Sequence, residues 1–107
     1  MFEIEQLIEK LAQEVDGEKG SEDNIVVFTL STCQWCRRCK RYLSERGVRY
    51  RFIDVDKIDP NEKVLLIDYL KSNFQERIAY PFLTCEKGHV VGYDPKKYDK
   101  LLEDDSK

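Results

Sequence analysis

Cysteine is the residue type whose spacing says most about the chemistry open to this sequence. Cys33 and Cys36 are separated by two residues, and Cys39 follows three positions later. A Cys-x-x-Cys spacing lets two sulfurs approach bonding distance, so the pair can pass between a dithiol and a disulfide. The same two thiolates can instead supply half of a metal site. The secondary structure predicted around the pair indicates which of these two chemistries applies.

The neighbouring residues place this pair at the junction of a strand and a helix. Residues 25–30 form a continuous, β-branched apolar run, which is typical of a buried strand. Residues 34–46 have helical periodicity, and Ser31 and Thr32 before them can cap that helix. Cys33 therefore lies at the N-terminus of the helix, where unpaired backbone N–H groups and the helix dipole favour a thiolate.

This placement predicts different roles for the cysteines. Cys33, ahead of the helix, is expected to be the exposed nucleophile, with basic residues close by at Arg37, Arg38, Lys40 and Arg41. Cys36, one turn into the helix, is expected to face inward and to resolve a mixed disulfide formed at Cys33. Cys39 on the inward face and the distant Cys85 are expected to be small buried hydrophobes, and Cys39 is expected to have no role in turnover. The spacing beside a strand and a helix thus predicts a dithiol redox site.

The rest of the sequence predicts one compact α/β domain. Periodicity indicates, in chain order, a helix over residues 1–16, strands over 25–30 and 50–55, a helix opening at Asp59 and Pro60, a hairpin of 82–85 and 89–93, and a last helix from Asp94. The first two strands must pair in parallel through a right-handed crossover, whereas the hairpin is antiparallel. We therefore expect a four-stranded mixed sheet flanked by helices, with residues 1–23 as an additional N-terminal amphipathic helix and linker and residues 24–107 as the main domain.

Three motifs, in order, give the chain a resemblance to the glutaredoxin family of the thioredoxin superfamily over about residues 24 to 105. Residues 32–36 (Thr-Cys-Gln-Trp-Cys) resemble Thr-Cys-Pro-Tyr-Cys, residues 47–56 resemble the family's second strand, and Tyr80-Pro81 resembles its Val-Pro before the hairpin. The resemblance implies a thioredoxin-like fold and thiol–disulfide oxidoreductase activity on protein or small-molecule disulfides. It also implies that Pro81 is cis and faces the dithiol, and that the backbone of Tyr80 pairs with a bound substrate.

Departures from the family pattern concern the electron donor. Gln34 replaces the usual proline, Leu30 replaces a frequent lysine, and residues 92–95 (Gly-Tyr-Asp-Pro) replace the stretch that holds glutathione carboxylates. Residues 92–95 are similar instead to the Gly-Phe-x-Pro of redoxins that serve ribonucleotide reductase. This implies a thioredoxin-type reductase as donor in preference to glutathione, and no tightly bound cofactor. The residues expected to bind substrate are Thr32, Gln34, Trp35, Tyr80, Pro81, Gly92, Tyr93 and Asp94.

A metal-binding module is the alternative to a redox enzyme. Cys33 and Cys36 with Cys85 and the single histidine, His89, would form an ordinary zinc ligand set. The spacing of Cys33, Cys36 and Cys39 is also similar to that of iron–sulfur proteins, although no fourth cysteine follows nearby. We prefer the redox interpretation because the predicted hairpin turn between Cys85 and His89 is unlike a zinc knuckle.

Composition and charge set the remaining expectations. Charged residues make up 36% of the 107 residues and hydrophobic residues 41%, as in a soluble globular protein. No apolar run approaches the ~18 residues of a membrane span, and the start of the chain is acidic where a secretory signal is basic. Residues 37–51 hold seven basic residues and one acid although the formal net charge is −3. Such a block attracts an acidic partner or nucleic acid, or is a solvated helix face. For the whole protein we expect a cytoplasmic monomer that binds a protein partner and binds neither nucleic acid nor a membrane.

Overall fold

A five-stranded mixed sheet lies at the centre of the structure, a computed structural model that describes residues 4–19 and 23–102. The strands are β1 (Gln13–Val15), β2 (Val26–Thr29), β3 (Tyr50–Asp54), β4 (Phe82–Cys85) and β5 (Gly88–Val91). Their order across the sheet is β1-β3-β2-β4-β5, with β2 and β3 parallel and the other neighbours antiparallel. The predicted parallel pairing of the first two strands and the predicted antiparallel hairpin are therefore confirmed.

Helices cover both faces of this sheet, as predicted. They are α1 (Ile4–Leu11), α2 (Gln34–Glu45), α3 (Pro60–Phe74) and α4 (Pro95–Leu102). Leu7 of α1 and Leu66 of α3 belong to the apolar cluster on one face, whereas Leu43 of α2 and Tyr98 of α4 belong to the cluster on the other. Strand β2 contributes alternate residues to both clusters, which explains its continuous apolar sequence.

Local signals account for the ends of the long helices. The Asp59 carboxylate accepts a hydrogen bond of 2.8 Å from the backbone N–H of Asn61, and Pro60 is the first residue of α3. A capping side chain followed by proline is a strong helix start, because proline lacks the N–H that the first turn leaves unpaired. At the end of α2, Gly47 has a positive φ of 71°. Both boundaries agree with the sequence prediction.

The N-terminal segment differs from its prediction. The helix expected over the first sixteen residues ends at Leu11, and Gln13–Val15 form β1, an edge strand antiparallel to β3. The sheet thus has a fifth strand beyond the four predicted, because the outer edge of β3 offers unpaired backbone groups to the chain that follows α1. Residues 1–3 of the predicted helix, 20–22 of the predicted linker and 103–107 lie outside the described residues. Leu7 and Ile8 of α1 are buried, so the N-terminal segment is part of the core.

Among the residues that the structure describes, no helix has both the length and the apolar character that a bilayer crossing requires.

Candidate active site

The Cys33 sulfur lies at the very start of α2, where it caps the helix. Cys33 has extended backbone angles (φ −85°, ψ 121°), and its Sγ accepts a hydrogen bond of 3.2 Å from the backbone N–H of Cys36. The predicted cap at Ser31 or Thr32 is therefore wrong, because the chain turns one residue later and gives the cap position to the cysteine itself. A sulfur that accepts an N–H at a helix N-terminus is in a place that stabilises negative charge.

Cys36 is in the opposite environment. Its side chain is fully buried, and the backbone N–H of Leu30 donates to its Sγ at 3.4 Å. Burial raises the pKa of the Cys36 thiol to about 12, the hydrogen bond with Cys33 acts in the same direction, and the Leu30 N–H acts against them. Cys33 is partly exposed. At neutral pH Cys36 therefore keeps its proton while the sulfur of Cys33 is open to a reagent.

The other two cysteines lie beyond the first turn of α2. Cys39 is fully buried in the cluster between α2 and α4, and burial raises its pKa to about 11. Its predicted burial is confirmed. Cys85 is only partly buried, contrary to the prediction, because it is the last residue of β4 and the hairpin turn leaves it beside solvent.

The cis-proline loop approaches the dithiol from the neighbouring strand. The Tyr80–Pro81 peptide bond is cis, as the resemblance implies, and Pro81 is buried. The pKa of Tyr80 is raised, first by burial and then by the nearby Cys36 sulfur. Gly92 donates its backbone N–H to the carbonyl of Pro81 at 2.7 Å, so the turn after β5 is held against this loop.

An aromatic stack brings that turn to the start of α2. The ring centres of Trp35 and Tyr93 are 5.9 Å apart with 29° between the ring planes, and the Arg38 guanidinium lies 4.9 Å from the centre of the Trp35 ring. Trp35 is still 51% exposed. Asp94, in the same turn, accepts from the backbone N–H of Lys97 and so caps α4.

The predicted substrate-binding residues thus fall into groups around Cys33. Thr32 and Gln34 are exposed on either side of it. Trp35 and Tyr93 form the stack, Tyr80 and Pro81 form the cis-proline loop, and Gly92 joins the two. Asp94 belongs to the same turn, although its visible role is to cap α4.

The proposed zinc ligands are not brought together. The His89 ring packs against Phe74 and Phe82, and its Nε2 lies 3.0 Å from a carboxylate oxygen of Glu76. Cys85 packs in the apolar cluster on the other face of the sheet. Within the described ranges, no group of three or more histidine, cysteine, aspartate or glutamate side chains is arranged to hold a metal ion.

Sequence reasoning missed a set of polar contacts beneath the loop that precedes Cys33. Asp54 accepts from the Thr29 hydroxyl and forms an ion pair of 3.2 Å with Lys40. Asp56 accepts two hydrogen bonds from Ser31, which lower the pKa of its carboxyl group. The alternation of Ile-Asp-Val-Asp over residues 53–56 was the available signal, since it places two carboxylates at the end of a buried strand.

A dithiol at the N-terminus of a helix, beside a cis-proline loop in this α/β sheet, defines a protein of the thioredoxin superfamily. The family model described as Glutaredoxin matches residues 25–81. The chain therefore belongs to the glutaredoxin family, and the resemblance found in its motifs is confirmed.

Individual relatives agree with this assignment. Glutaredoxin 1 of Rickettsia bellii is 34% identical over 87 residues, which cover 74% of this chain and 86% of the relative. The solved structure of methanoredoxin from Methanosarcina acetivorans is similar with a TM-score of 0.72 at 27% identity, covering 82% of this chain and 90% of that one. The glutaredoxin of Methanosarcina mazei is similar in fold, with a TM-score of 0.76 at 22% identity and coverage of 88% and 89%.

Family membership supports the general activity of a thiol–disulfide oxidoreductase, with redox partners such as glutathione or reductases in general.

Proposed function

We propose that the protein reduces disulfides of proteins or small molecules through the dithiol of Cys33 and Cys36. The Cys33 thiolate attacks one sulfur of the substrate disulfide, and the other substrate sulfur leaves as a thiolate. Cys36 then loses its proton and attacks the sulfur of Cys33. The second substrate thiolate leaves, so two electrons have passed to the substrate and the protein holds an intramolecular disulfide.

The observation that carries this proposal is the contrast between the two sulfurs. Cys33 is partly exposed and accepts an N–H at the start of α2, whereas Cys36 is fully buried one turn later and still hydrogen-bonded to it. A nucleophile must be accessible and stabilised as the thiolate, while a resolving thiol should stay protonated until the mixed disulfide has formed. The accessibility of Cys33 and the burial of Cys36 support this division of roles.

The surroundings of Cys33 support a groove for an extended substrate. Tyr80 lies close to Cys36, and the stack of Trp35 on Tyr93 lies at the start of α2, next to the turn that Gly92 holds against the cis-proline loop. We assign the backbone of Tyr80 to pairing with the substrate chain and the aromatic stack to contact with its side chains.

Trapping with serine variants tests the roles of the cysteines. The Cys33→Ser variant should lose disulfide reductase activity, because the first attack needs its thiolate. The Cys36→Ser variant should accumulate a mixed disulfide at Cys33, which mass spectrometry of a digested sample identifies. Cys85→Ser is the matched control and should keep full activity. Trapping at Cys36 in the Cys33→Ser variant, with activity retained, would reverse the assignment.

For the electron donor we favour a thioredoxin-type reductase over glutathione. A glutathione site needs cationic or backbone donors for two carboxylates. Leu30 offers no charge at the start of the loop, and Asp94 adds negative charge to the turn after β5. We assign the protein to a reducing compartment, the cytoplasm, and to a monomeric state.

Side-by-side kinetics test this preference. The oxidised protein is mixed either with a thioredoxin-type reductase and its nicotinamide cofactor, or with glutathione and glutathione reductase. Faster reduction by the protein reductase is expected. Efficient turnover by glutathione alone would contradict the choice of donor and leave the dithiol mechanism intact.

A further inference from the structure

Two aspartates at the end of β3 hold the loop between β2 and α2 from one side. Asp54 accepts from the hydroxyl of Thr29, which is fully buried, and pairs with Lys40 of α2. Asp56 uses both carboxylate oxygens on Ser31: one accepts from the backbone N–H at 2.8 Å, and the other accepts from the hydroxyl at 2.6 Å.

These contacts enclose the residue that donates to the resolving sulfur. Leu30 lies between Thr29 and Ser31, and its backbone N–H is the donor to Cys36 Sγ at 3.4 Å. Rotation of the peptide groups on either side of Leu30 would move this N–H away from the sulfur. The two hydrogen bonds from Ser31 to Asp56 oppose such a rotation.

We propose that Asp56, acting through Ser31, is a positioning residue that keeps the Leu30 N–H directed at the Cys36 sulfur and thereby speeds the attack of Cys36 on the mixed disulfide. The inference rests on the dithiol mechanism proposed above. In this step the Cys36 thiol gives its proton to solvent, its sulfur bonds to the sulfur of Cys33, and the substrate sulfur leaves with the electrons of the broken bond.

The Leu30 N–H matters for the rate because the Cys36 sulfur that it contacts is buried. The pKa of Cys36 is raised to about 12, so the thiolate is scarce at neutral pH and each group that stabilises it raises the rate of the step. A backbone N–H directed at a buried sulfur is such a group. The negative charge of Asp56 acts in the opposite direction, because it disfavours a nearby thiolate. When the aspartate is removed, loss of positioning should therefore slow the attack of Cys36, whereas loss of the negative charge should speed it.

Stopped-flow mixing of the reduced protein with an equimolar aromatic disulfide, 5,5′-dithiobis(2-nitrobenzoate), separates the two steps. The first thionitrobenzoate released reports attack by Cys33, and the second reports attack by Cys36. The experiment uses a Cys85→Ser background, so that this partly exposed thiol does not contribute. The Asp56→Ala variant should slow the second release about fivefold, equivalent to ~1 kcal/mol for one hydrogen bond, and leave the first unchanged.

Two further variants distinguish positioning from charge. Asp56→Asn keeps an acceptor for Ser31 without the charge, so its second release should stay within about twofold of the parent. Asp68→Ala removes an exposed carboxylate on α3 and should change neither release. If Asp56→Ala does not fold, Ser31→Ala removes the hydroxyl bond alone and should slow the second release about twofold.

Three results would overturn the inference. These are an unchanged second release in Asp56→Ala, a faster second release in both Asp56 variants, and an equal slowing of both releases with a lower melting temperature. Failure of the dithiol mechanism itself has a different signature, because the parent protein would then release only one equivalent of thionitrobenzoate.

Discussion

Burial distinguishes side chains that are chemically identical in the sequence. Cys39 is fully buried against α4, and its pKa is raised to about 11, so it is a neutral packing residue at physiological pH. We expect Cys39→Ala to keep disulfide reductase activity within about twofold and to lose ~1–2 kcal/mol of unfolding free energy, measured by urea titration, for the small cavity. Loss of activity in a folded Cys39→Ala protein would point to a three-cysteine relay.

The raised pKa values of Cys36 and Cys39 also predict how stability depends on pH. Both thiols titrate in the folded protein at about 12 and about 11, against 9.0 as the ordinary value. The unfolded chain therefore loses these protons first, and stability that is complete below pH 9 falls as pH rises toward those values. The slope is at most ~1.4 kcal/mol per pH unit for each thiol.

Urea titrations of the reduced protein at pH 7, 9 and 10 measure this dependence. Cys39→Ala should show a shallower loss above pH 9 than the parent protein. Burial also raises the pKa of Cys85, so Cys85→Ser should change the pH dependence in the same direction, and by less because that thiol is only partly buried. An identical pH dependence in the parent and in Cys39→Ala would show that this thiol is not protected from ionisation by the fold.

At the scale of elements, Gly17 fixes how the N-terminal segment meets the sheet. Lys19 and Val48 form a parallel bridge, and a Cβ built on Gly17 would lie 2.4 Å from the backbone of Val48 and of Arg49. Backbone cannot move aside as a flexible side chain can, so Gly17→Ala should cost ~1–3 kcal/mol of unfolding free energy. The exposed neighbour Glu18 supplies the control, Glu18→Ala, for which urea titration should give a change within ~0.5 kcal/mol. A neutral Gly17→Ala would mean that the segment after β1 packs differently.

Helices and strands with a long periodic pattern could be predicted from the sequence, whereas short strands and contacts between distant residues could not. The apolar run of β2 and the Asp59-Pro60 start of α3 carry their own signals. The three residues of β1 do not, because a strand of that length exists only through its pairing with β3.

The same limit applies to the candidate site. Cys33 and Cys36 were found from spacing alone. The stack of Trp35 on Tyr93 and the hydrogen bonds from Ser31 to Asp56 join residues that are far apart in the sequence, and no local pattern encodes such contacts.

Across the whole molecule, the fold divides the basic block of residues 37–51 into two parts. Arg46 pairs with Asp99 and Arg49 pairs with Glu14, so the second half of the block is engaged within the protein. In the first half, Lys40 pairs with Asp54, whereas Arg37 and Arg41 are exposed in α2 and form no ion pair with the rest of the described chain. The positive potential available to a partner is therefore concentrated on the part of the block nearest Cys33.

This distribution predicts that a protein reductase docks with the help of electrostatic attraction. Raising the salt concentration from 50 to about 300 mM should lower kcat/KM for a thioredoxin-type reductase severalfold, because the Debye length falls below ~10 Å. Arg37→Glu should lower the same constant about fivefold or more at low salt. The rate at which the parent protein or the Arg37→Glu variant reduces a small uncharged disulfide should change little, since electrostatic attraction does not guide that encounter. Lys71→Glu, an exposed charge reversal on α3, is the matched control because α3 covers the other face of the sheet. Equal effects of Arg37→Glu and Lys71→Glu would show that net charge, and not the face beside Cys33, governs the encounter.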